Sequence, residues 1–108
     1  MDDSKTTVSE LKDRIYDFVA KRGWTGWMNA LNTAISINLE AAELLEIFQW
    51  CDQADADRAA RETDREHFIE ELADVLIYCM QMAIAYDVDI ASAIEDKLRK
   101  NAIKYPEK

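Results

Sequence analysis

Apolar residues recur at helical spacing along most of the chain. The first run contains five of them, at Val8, Leu11, Ile15, Phe18 and Val19. Residues three or four positions apart lie on one side of a helix, so this run predicts an amphipathic helix over residues 8–21. Thr7 and Glu10 form a Thr-x-x-Glu capping box at its start, and Gly23 is placed to end it.

A second helix is predicted from Ala30 to about Trp50, with Asn29 as its N-cap. Its core stripe consists of Ile37, Ala41, Leu44 and Phe48. Glu40 and Glu43 fall on the flank of that stripe, so we expect them at the edge of the core and not in open water.

A third helix is predicted over residues 64–86, with Thr63 and Glu66 as a second capping box. From Leu72 onward, Asp74 and Gln81 are its only residues with a charge or an amide. A helix that is apolar almost all round must be buried on every side. Four helices in so short a chain can hardly cover it, so we expect a subunit interface along this helix.

A fourth helix is predicted from Ile90 to about Lys104, with Asp89 as its N-cap. Its last turns bring together the basic residues Lys97, Arg99, Lys100 and Lys104. These cations either stabilise the negative end of the helix dipole or anchor phosphates.

The connection after the first predicted helix and the one before the third differ in composition. Residues 23–28 carry Trp24 and Trp27, which either anchor the loop to the core or cover a ligand. Residues 51–65 are charged and Ala-rich, and we expect an exposed connection with at most a short helical turn. Its three aspartates, Asp52, Asp55 and Asp57, lack the glycine and final glutamate of a calcium loop, which favours a solvated loop.

Composition narrows the fold and excludes some functions. A chain of 108 residues with two Gly and one Pro predicts a single all-α domain, an antiparallel four-helix bundle, with residues 1–6 and 107–108 as disordered tails. A net charge of −9 argues against nucleic-acid binding. The polar N-terminus, the lack of a long apolar run and the spacing of the two cysteines predict a cytoplasmic protein without membrane contact.

Two carboxylate pairs stand among long apolar side chains, Glu40 with Glu43 and Glu71 with Asp74. Each pair has the spacing that places both groups on one helix face. Buried carboxylates need a cation, yet no Lys, Arg or His occurs from residue 72 to residue 86. The residues are therefore either a divalent-metal site or surface acids. Oxygen ligands favour Mg²⁺ over zinc or copper, and the single His67 argues against a di-iron site.

The order of these motifs resembles the all-α nucleoside triphosphate pyrophosphohydrolases of the MazG type. The blocks EAAELLEIFQW and EELADVLIY, Trp24 in KRGW, and Asn101 with Lys104-Tyr105-Pro106 are similar to those of the small branch that includes the dCTP pyrophosphatases. The resemblance covers about residues 11–106.

The resemblance implies Mg²⁺-dependent cleavage of a (deoxy)nucleoside triphosphate to its monophosphate and pyrophosphate, with Mn²⁺ as a substitute. It also implies a homotetramer, assembled as a dimer of dimers. The implied metal ligands are Glu40, Glu43, Glu71 and Asp74. The implied nucleotide-binding residues are Trp24, Trp50 and Tyr78 around base and sugar, with Asn101, Lys104 and Tyr105 from a neighbouring subunit.

Three questions stay open at this level. Glu43 or Glu46 is a candidate to activate the attacking water, although Glu46 is equally well explained as a solvated acid. Ile15 replaces a histidine that lies near the base in dCTP pyrophosphatases, so dCTP, dUTP and damaged dNTPs all remain candidates. The alternative to an enzyme is a non-catalytic helical module that binds nucleotide or partner helices.

Overall fold

The computed structural model describes residues 1–108, and its only regular secondary structure is helical. The α-helices are α1 (Val8–Lys21), α2 (Ala30–Glu46), α3 (Gln53–Arg58), α4 (Arg65–Ala85) and α5 (Ile90–Lys104). A 3₁₀ turn at Thr25–Trp27 follows α1, and a π-helical turn at Ala59–Thr63 follows α3. The all-α class is confirmed, with one short helix more than the sequence pattern predicts.

The predicted ends of α1 agree with the structure. The Thr7 hydroxyl accepts a hydrogen bond from the Glu10 amide, and the Glu10 carboxylate accepts one from the Thr7 amide. Gly23 has a φ of 70°, and the amide of Trp24 donates to the carbonyl of Val19. This is a Schellman ending, which needs a left-handed residue and therefore favours glycine.

The predictions for residues 47–65 are wrong in two respects. α2 ends at Glu46, four residues early, and residues 47–50 form turns. Most of residues 51–65 is helical, because the Asp52 carboxylate accepts a hydrogen bond from the Asp55 amide and caps α3.

The second capping box is also wrong. Thr63 is the last residue of the π-helical turn, and Asp64 precedes α4 without a side-chain capping bond. The chain enters α4 from a helical turn, so the Thr63 backbone does not have the extended conformation that an N-cap requires. The caps predicted for α2 and α5 are confirmed, since Asn29 Oδ1 and Asp89 Oδ1 accept hydrogen bonds from the amides of Asn32 and Ser92.

α2 and α4 pack against each other as an antiparallel pair. At one end, the Tyr86 hydroxyl accepts a 2.7 Å hydrogen bond from the amide of Ala30, the first residue of α2. At the other end, the rings of Phe48 and Phe68 meet edge to face, with centroids 6.1 Å apart. α1 packs on α4, and Lys12 Nζ donates to the Val88 carbonyl just beyond its end.

The single chain buries little of its apolar surface. Its accessible area is 8505 Å², whereas a folded monomer of 12.5 kDa is expected to expose about 6,200 Å². α4 is not covered on every side, since Leu76 is 54% exposed. α5 makes no extensive contact with any other helix, and its Leu98 is 62% exposed. No helix combines the length and hydropathy that a membrane span requires.

Candidate metal and nucleotide site

Three carboxylates from two helices converge at one end of the α2–α4 pair. α2 supplies Glu40 and Glu43, and α4 supplies Glu71; one carboxylate oxygen from each lies within 4.8 Å of the others. The one-turn spacing on α2 turns both of its acids toward α4, and the antiparallel packing places the first turns of α4 opposite them. The structure thus brings together three of the four acids that the sequence pattern predicts as ligands.

Two of the carboxylate oxygens in this cluster are buried without a partner. Glu40 Oε2 and Glu71 Oε2 are inaccessible to solvent and accept no hydrogen bond. Desolvation, followed by hydrogen bonding to Glu43 and the neighbouring negative charges, raises the pKa of Glu40 to about 7. Desolvation and the Glu43 carboxylate also raise the pKa of Glu71. The cluster is therefore an unfavourable arrangement for ionised acids on their own.

This donor set fits a hard divalent cation. Unpartnered buried carboxylate oxygens are destabilising when no cation compensates them. Mg²⁺ prefers oxygen ligands and is commonly held by a few carboxylates together with substrate phosphates. The cluster offers such oxygens and no thiolate, so the residues present fit Mg²⁺ or Mn²⁺.

The two remaining acids of the predicted set lie at the margin of the cluster. Asp74 is half-buried one turn after Glu71, and its negative charge contributes to the raised pKa of Glu40 and of Glu71. Its oxygens do not belong to the group of three that lies within 4.8 Å. Glu46 is exposed at the last position of α2, also outside that group.

One residue that contacts the cluster was not predicted. His67 Nε2 lies 3.3 Å from Glu71 Oε1, and His67 Nδ1 lies 3.3 Å from Asp64 Oδ2. The Asp64 hydrogen bond and the two carboxylate charges raise the pKa of His67. The sequence does carry a signal for this contact, because positions 67 and 71 are one helical turn apart.

A cavity of about 680 Å³ lies beside the acidic cluster, between α1, the 3₁₀ turn and α4. This volume is typical of sites for small organic ligands. Asp74 belongs to the cavity wall and so joins it to the cluster. The other lining residues are Arg14, Ile15, Phe18, Val19, Trp24, Trp27, Ile77, Tyr78 and Gln81.

The structure places the predicted nucleotide-binding residues in two groups. Trp24 and Tyr78 line the cavity, and the Trp24 ring meets Phe18 edge to face at 6.2 Å. Trp50 is 90% exposed and does not line the cavity of its own chain. The remaining three lie at the end of α5, outside the cavity: Asn101, Lys104 and Tyr105.

Five cavity residues were not predicted to contact a ligand, namely Arg14, Phe18, Val19, Ile77 and Gln81, and for Trp27 the alternatives of loop anchor and ligand cover were left open. Phe18 was expected in the core but is 45% exposed, because the cavity separates it from α4. Gln81 carried the clearest signal, since an amide interrupts an otherwise apolar helix. The structure shows it only 8% exposed, on the wall of the cavity.

Comparison with known proteins agrees with this architecture. The MazG-like family matches residues 35–108. A crystal structure of a pyrophosphatase from Archaeoglobus fulgidus has a TM-score of 0.85 and 38% identity, covering 92% of each chain. The chain is 32% identical to dCTP pyrophosphatase 1 of Rattus norvegicus over 93% of its length, and 31% identical to that of Bos taurus over 95%.

The chain spans 59% of the length of the rat relative and 62% of that of the bovine one. The matched residues include the whole acidic cluster, α4 and α5. The resemblance inferred from the sequence motifs is therefore confirmed at the level of family and fold. The chain belongs to the MazG-like family.

Proposed function

We propose that this protein is a Mg²⁺-dependent nucleoside triphosphate pyrophosphohydrolase, which cleaves a (d)NTP to the (d)NMP and pyrophosphate. The observation that carries the proposal is the acidic cluster with two buried, unpartnered oxygens, together with Asp74, one turn after Glu71 on α4, which lines an aromatic cavity. A triphosphate bound to the metal would extend its nucleoside into that cavity. The names of the rat and bovine relatives and of the archaeal structure support a pyrophosphatase activity.

In this proposal Glu40, Glu43, Glu71 and Asp74 hold the metal. When bound, the ion supplies positive charge that stabilises the charge developing on the phosphate oxygens. Glu40 and Glu71 contribute oxygens that have no other partner, and Asp74 links the metal to the cavity. His67 fixes the orientation of the Glu71 carboxylate through its Nε2 contact.

The hydrolysis transfers water to the α-phosphorus and breaks the bond to the oxygen that leaves with pyrophosphate. A carboxylate must accept the proton of the attacking water. Glu43 is the exposed member of the cluster, so a water molecule can reach it from solvent. Glu46, one turn further along α2, is the second candidate for this role and is also exposed.

The cavity provides stacking surfaces for the nucleoside. Trp24 and Trp27 are 54% and 59% exposed, and both rings line the cavity. Stacking of a base on an aromatic ring is worth about 1–3 kcal/mol and tolerates different bases. Tyr78, on the same face of α4 as Asp74, lies between the acidic cluster and the far end of the cavity.

The complete site needs a second copy of the chain. The exposed area exceeds that of a typical monomer by about 2,300 Å², which is more than one partner contributes to a standard interface. Large exposed apolar side chains lie on α2, α4 and α5. Assembly through these helices, as a dimer of dimers, would bring Asn101, Lys104 and Tyr105 to the cavity of a neighbouring subunit and cover Trp50.

Pyrophosphate release with a panel of natural and modified dNTPs, including dCTP and dUTP, tests this function. We expect turnover with Mg²⁺ or Mn²⁺ and none with EDTA. Glu43→Gln and Asp74→Asn should each lower kcat/KM by about 100-fold or more, because they remove transition-state stabilisation. Glu70→Gln is the matched control, since Glu70 is exposed on α4 outside the cluster.

Retained turnover in both cluster variants would contradict the assigned ligands. Heat from a non-hydrolysable nucleotide with Mg²⁺, without product from any natural one, would support a binding module in place of an enzyme. Turnover confined to dCTP and modified dNTPs would point to a role in removing unwanted nucleotides from the dNTP pool.

A further inference from the structure

Gln81 is the only uncharged amide on the wall of the cavity, and it has no partner within the chain. Its side chain is 8% exposed and makes no hydrogen bond to any other residue. A buried amide without hydrogen bonds is destabilising. Its carboxamide is not among the fully enclosed unpartnered atoms, so its remaining access to solvent is through the cavity that it lines.

No other side chain on the cavity wall hydrogen-bonds to Gln81. Ile15, Val19 and Ile77 on this wall are aliphatic and offer it no donor or acceptor. Arg14 lies on the exposed side of α1 and makes no hydrogen bond to the Gln81 oxygen. A ligand in the cavity can therefore supply the polar group that fills the hydrogen-bonding capacity of Gln81.

The position of Gln81 along α4 fixes which part of a nucleotide it meets. Asp74, Tyr78 and Gln81 follow one another at spacings of four and three residues, so they lie on one face. Seven residues of helix span about 10.5 Å. A nucleotide with its phosphates at the acidic cluster and its sugar beside Tyr78 reaches that far with the pairing edge of its base.

We propose that Gln81 is the base-reading residue of this site, binding the pairing edge of the nucleobase through both ends of its carboxamide. This inference rests on the proposed function, in which a nucleotide binds in the cavity, and it adds how the base of that nucleotide is selected. An amide offers a donor and an acceptor side by side, which matches the adjacent donor and acceptor on a base edge.

Because no hydrogen bond holds the Gln81 carboxamide in one orientation, we also expect the site to accept more than one base. The Gln81 carboxamide can rotate by half a turn, because no neighbour holds its nitrogen or its oxygen. One orientation complements the 4-amino group and N3 of cytosine, and the other complements the 4-keto group and N3 of uracil. The site accepts both bases and rejects a pyrimidine that lacks the 4-substituent, since such a base leaves one end of the amide unpaired.

The test compares dCTP, dUTP and the triphosphate of 2-pyrimidinone deoxyriboside, which lacks the 4-substituent. For the unmodified enzyme we expect kcat/KM values for dCTP and dUTP within about tenfold of each other. The value for the analogue should be about 10- to 100-fold lower, as for the loss of a bidentate base contact. Gln81→Met keeps the shape of the side chain and removes the hydrogen bonds, so it should abolish this discrimination against the analogue.

Met80→Leu is the control, because Met80 lies on the same helix and does not line the cavity. It should keep the discrimination of the unmodified enzyme. If the unmodified enzyme turns over all three nucleotides at equal rates, or if Gln81→Met still discriminates, Gln81 does not read the base.

Calorimetric titration separates this inference from the proposed activity. Non-hydrolysable α,β-imido forms of the same three nucleotides, with Mg²⁺, report binding without turnover. Weaker binding of the analogue than of the cytosine form supports the role of Gln81 even if no nucleotide is hydrolysed. Equal binding of all three overturns it, and this measurement on the unmodified protein does not depend on how the Met variant folds.

Discussion

The α2–α4 pair and α5 are all helices with apolar faces, but they differ in what covers those faces within the chain. α2 and α4 cover each other along their length and bring three carboxylates within 4.8 Å. α5 carries Ile94 and Leu98 on one face, 55% and 62% exposed, and makes no extensive contact with any other helix of its chain. One chain therefore completes the acidic cluster but leaves the helix that carries Asn101 unpacked. Under the proposed function, the site has one part built within the chain and another contributed through assembly.

The largest expected effect follows from a charge on the apolar face of α5. Leu98→Asp places a carboxylate in the predicted interface, where its burial without a partner costs several kcal/mol. We expect light scattering coupled to size exclusion to show dissociation of the assembly. Activity should fall with it, because α5 carries nucleotide-binding candidates.

Ser92→Asp is the matched control for this experiment. Ser92 is exposed in the first turn of α5, where an added acid interacts favourably with the helix dipole. This variant should keep the oligomeric state of the unmodified protein. A monomeric unmodified protein at all concentrations would show that α5 needs no partner.

The next largest effect is expected on stability, at the packing of α2 against α4. Phe68→Ala removes the ring that meets Phe48 and should lower the free energy of unfolding by about 2–3 kcal/mol. The Ile69 side chain is 47% exposed in the single chain. Ile69→Ala should therefore lower the free energy of unfolding by less than Phe68→Ala does in dilute protein. Urea unfolding at several protein concentrations measures both. If the Ile69 variant is the more damaging and its effect depends on concentration, the interface extends over the start of α4.

A smaller effect is expected from pH, in the metal-free protein. Because the pKa of Glu40 is raised from 4.5 to about 7, the folded state binds its proton more tightly than the unfolded state does. Stability should fall as pH rises from about 4.5 to 7, and the raised pKa values of Glu71 and His67 act in the same direction. Thermal unfolding between pH 5 and pH 8 measures this trend.

Saturating Mg²⁺ should reverse that trend, because metal binding requires deprotonated ligands and strengthens as pH rises. Glu40→Gln should flatten the pH dependence of the metal-free protein. A melting temperature that rises with pH in the absence of metal would contradict the electrostatic description of the cluster.

The smallest effect is at the end of α4. Asp87 has a φ of 53°, and the amide of Val88 donates to the carbonyl of Ala83, which is the same Schellman geometry that Gly23 provides after α1. A residue with a Cβ is disfavoured in this conformation. Asp87→Gly should raise the free energy of unfolding by about 0.5–1 kcal/mol, measured by urea denaturation.

Local sequence signals predicted the helices well where caps lie next to apolar periodicity. α1 and α5 begin and end as expected, because their capping side chains act within one turn. The end of α2 was misplaced because residues 47–50 keep the apolar spacing while the backbone leaves the helix. Nothing in that spacing distinguishes a helix from a series of turns.

The candidate site was predictable to the extent that it depends on spacing along one helix. The pairs on α2 and α4 follow from that rule, and so does the His67–Glu71 contact that was overlooked. The cavity could not be predicted, because it depends on how far α1 stands from α4. That distance makes Phe18 and Gln81 lining residues, whereas the sequence pattern places Phe18 in a closed core.

The short segment after α1 has a consequence for how the protein can be altered. Thr25–Trp27 is held at its two ends, by the Schellman bonds before it and by the Asn29 cap after it. In between, a Cβ added at Gly26 would meet no atom within 4 Å. Randomising these three codons would thus vary the aromatic wall while leaving the scaffold intact, which makes the segment a natural cassette for laboratory evolution of ligand preference.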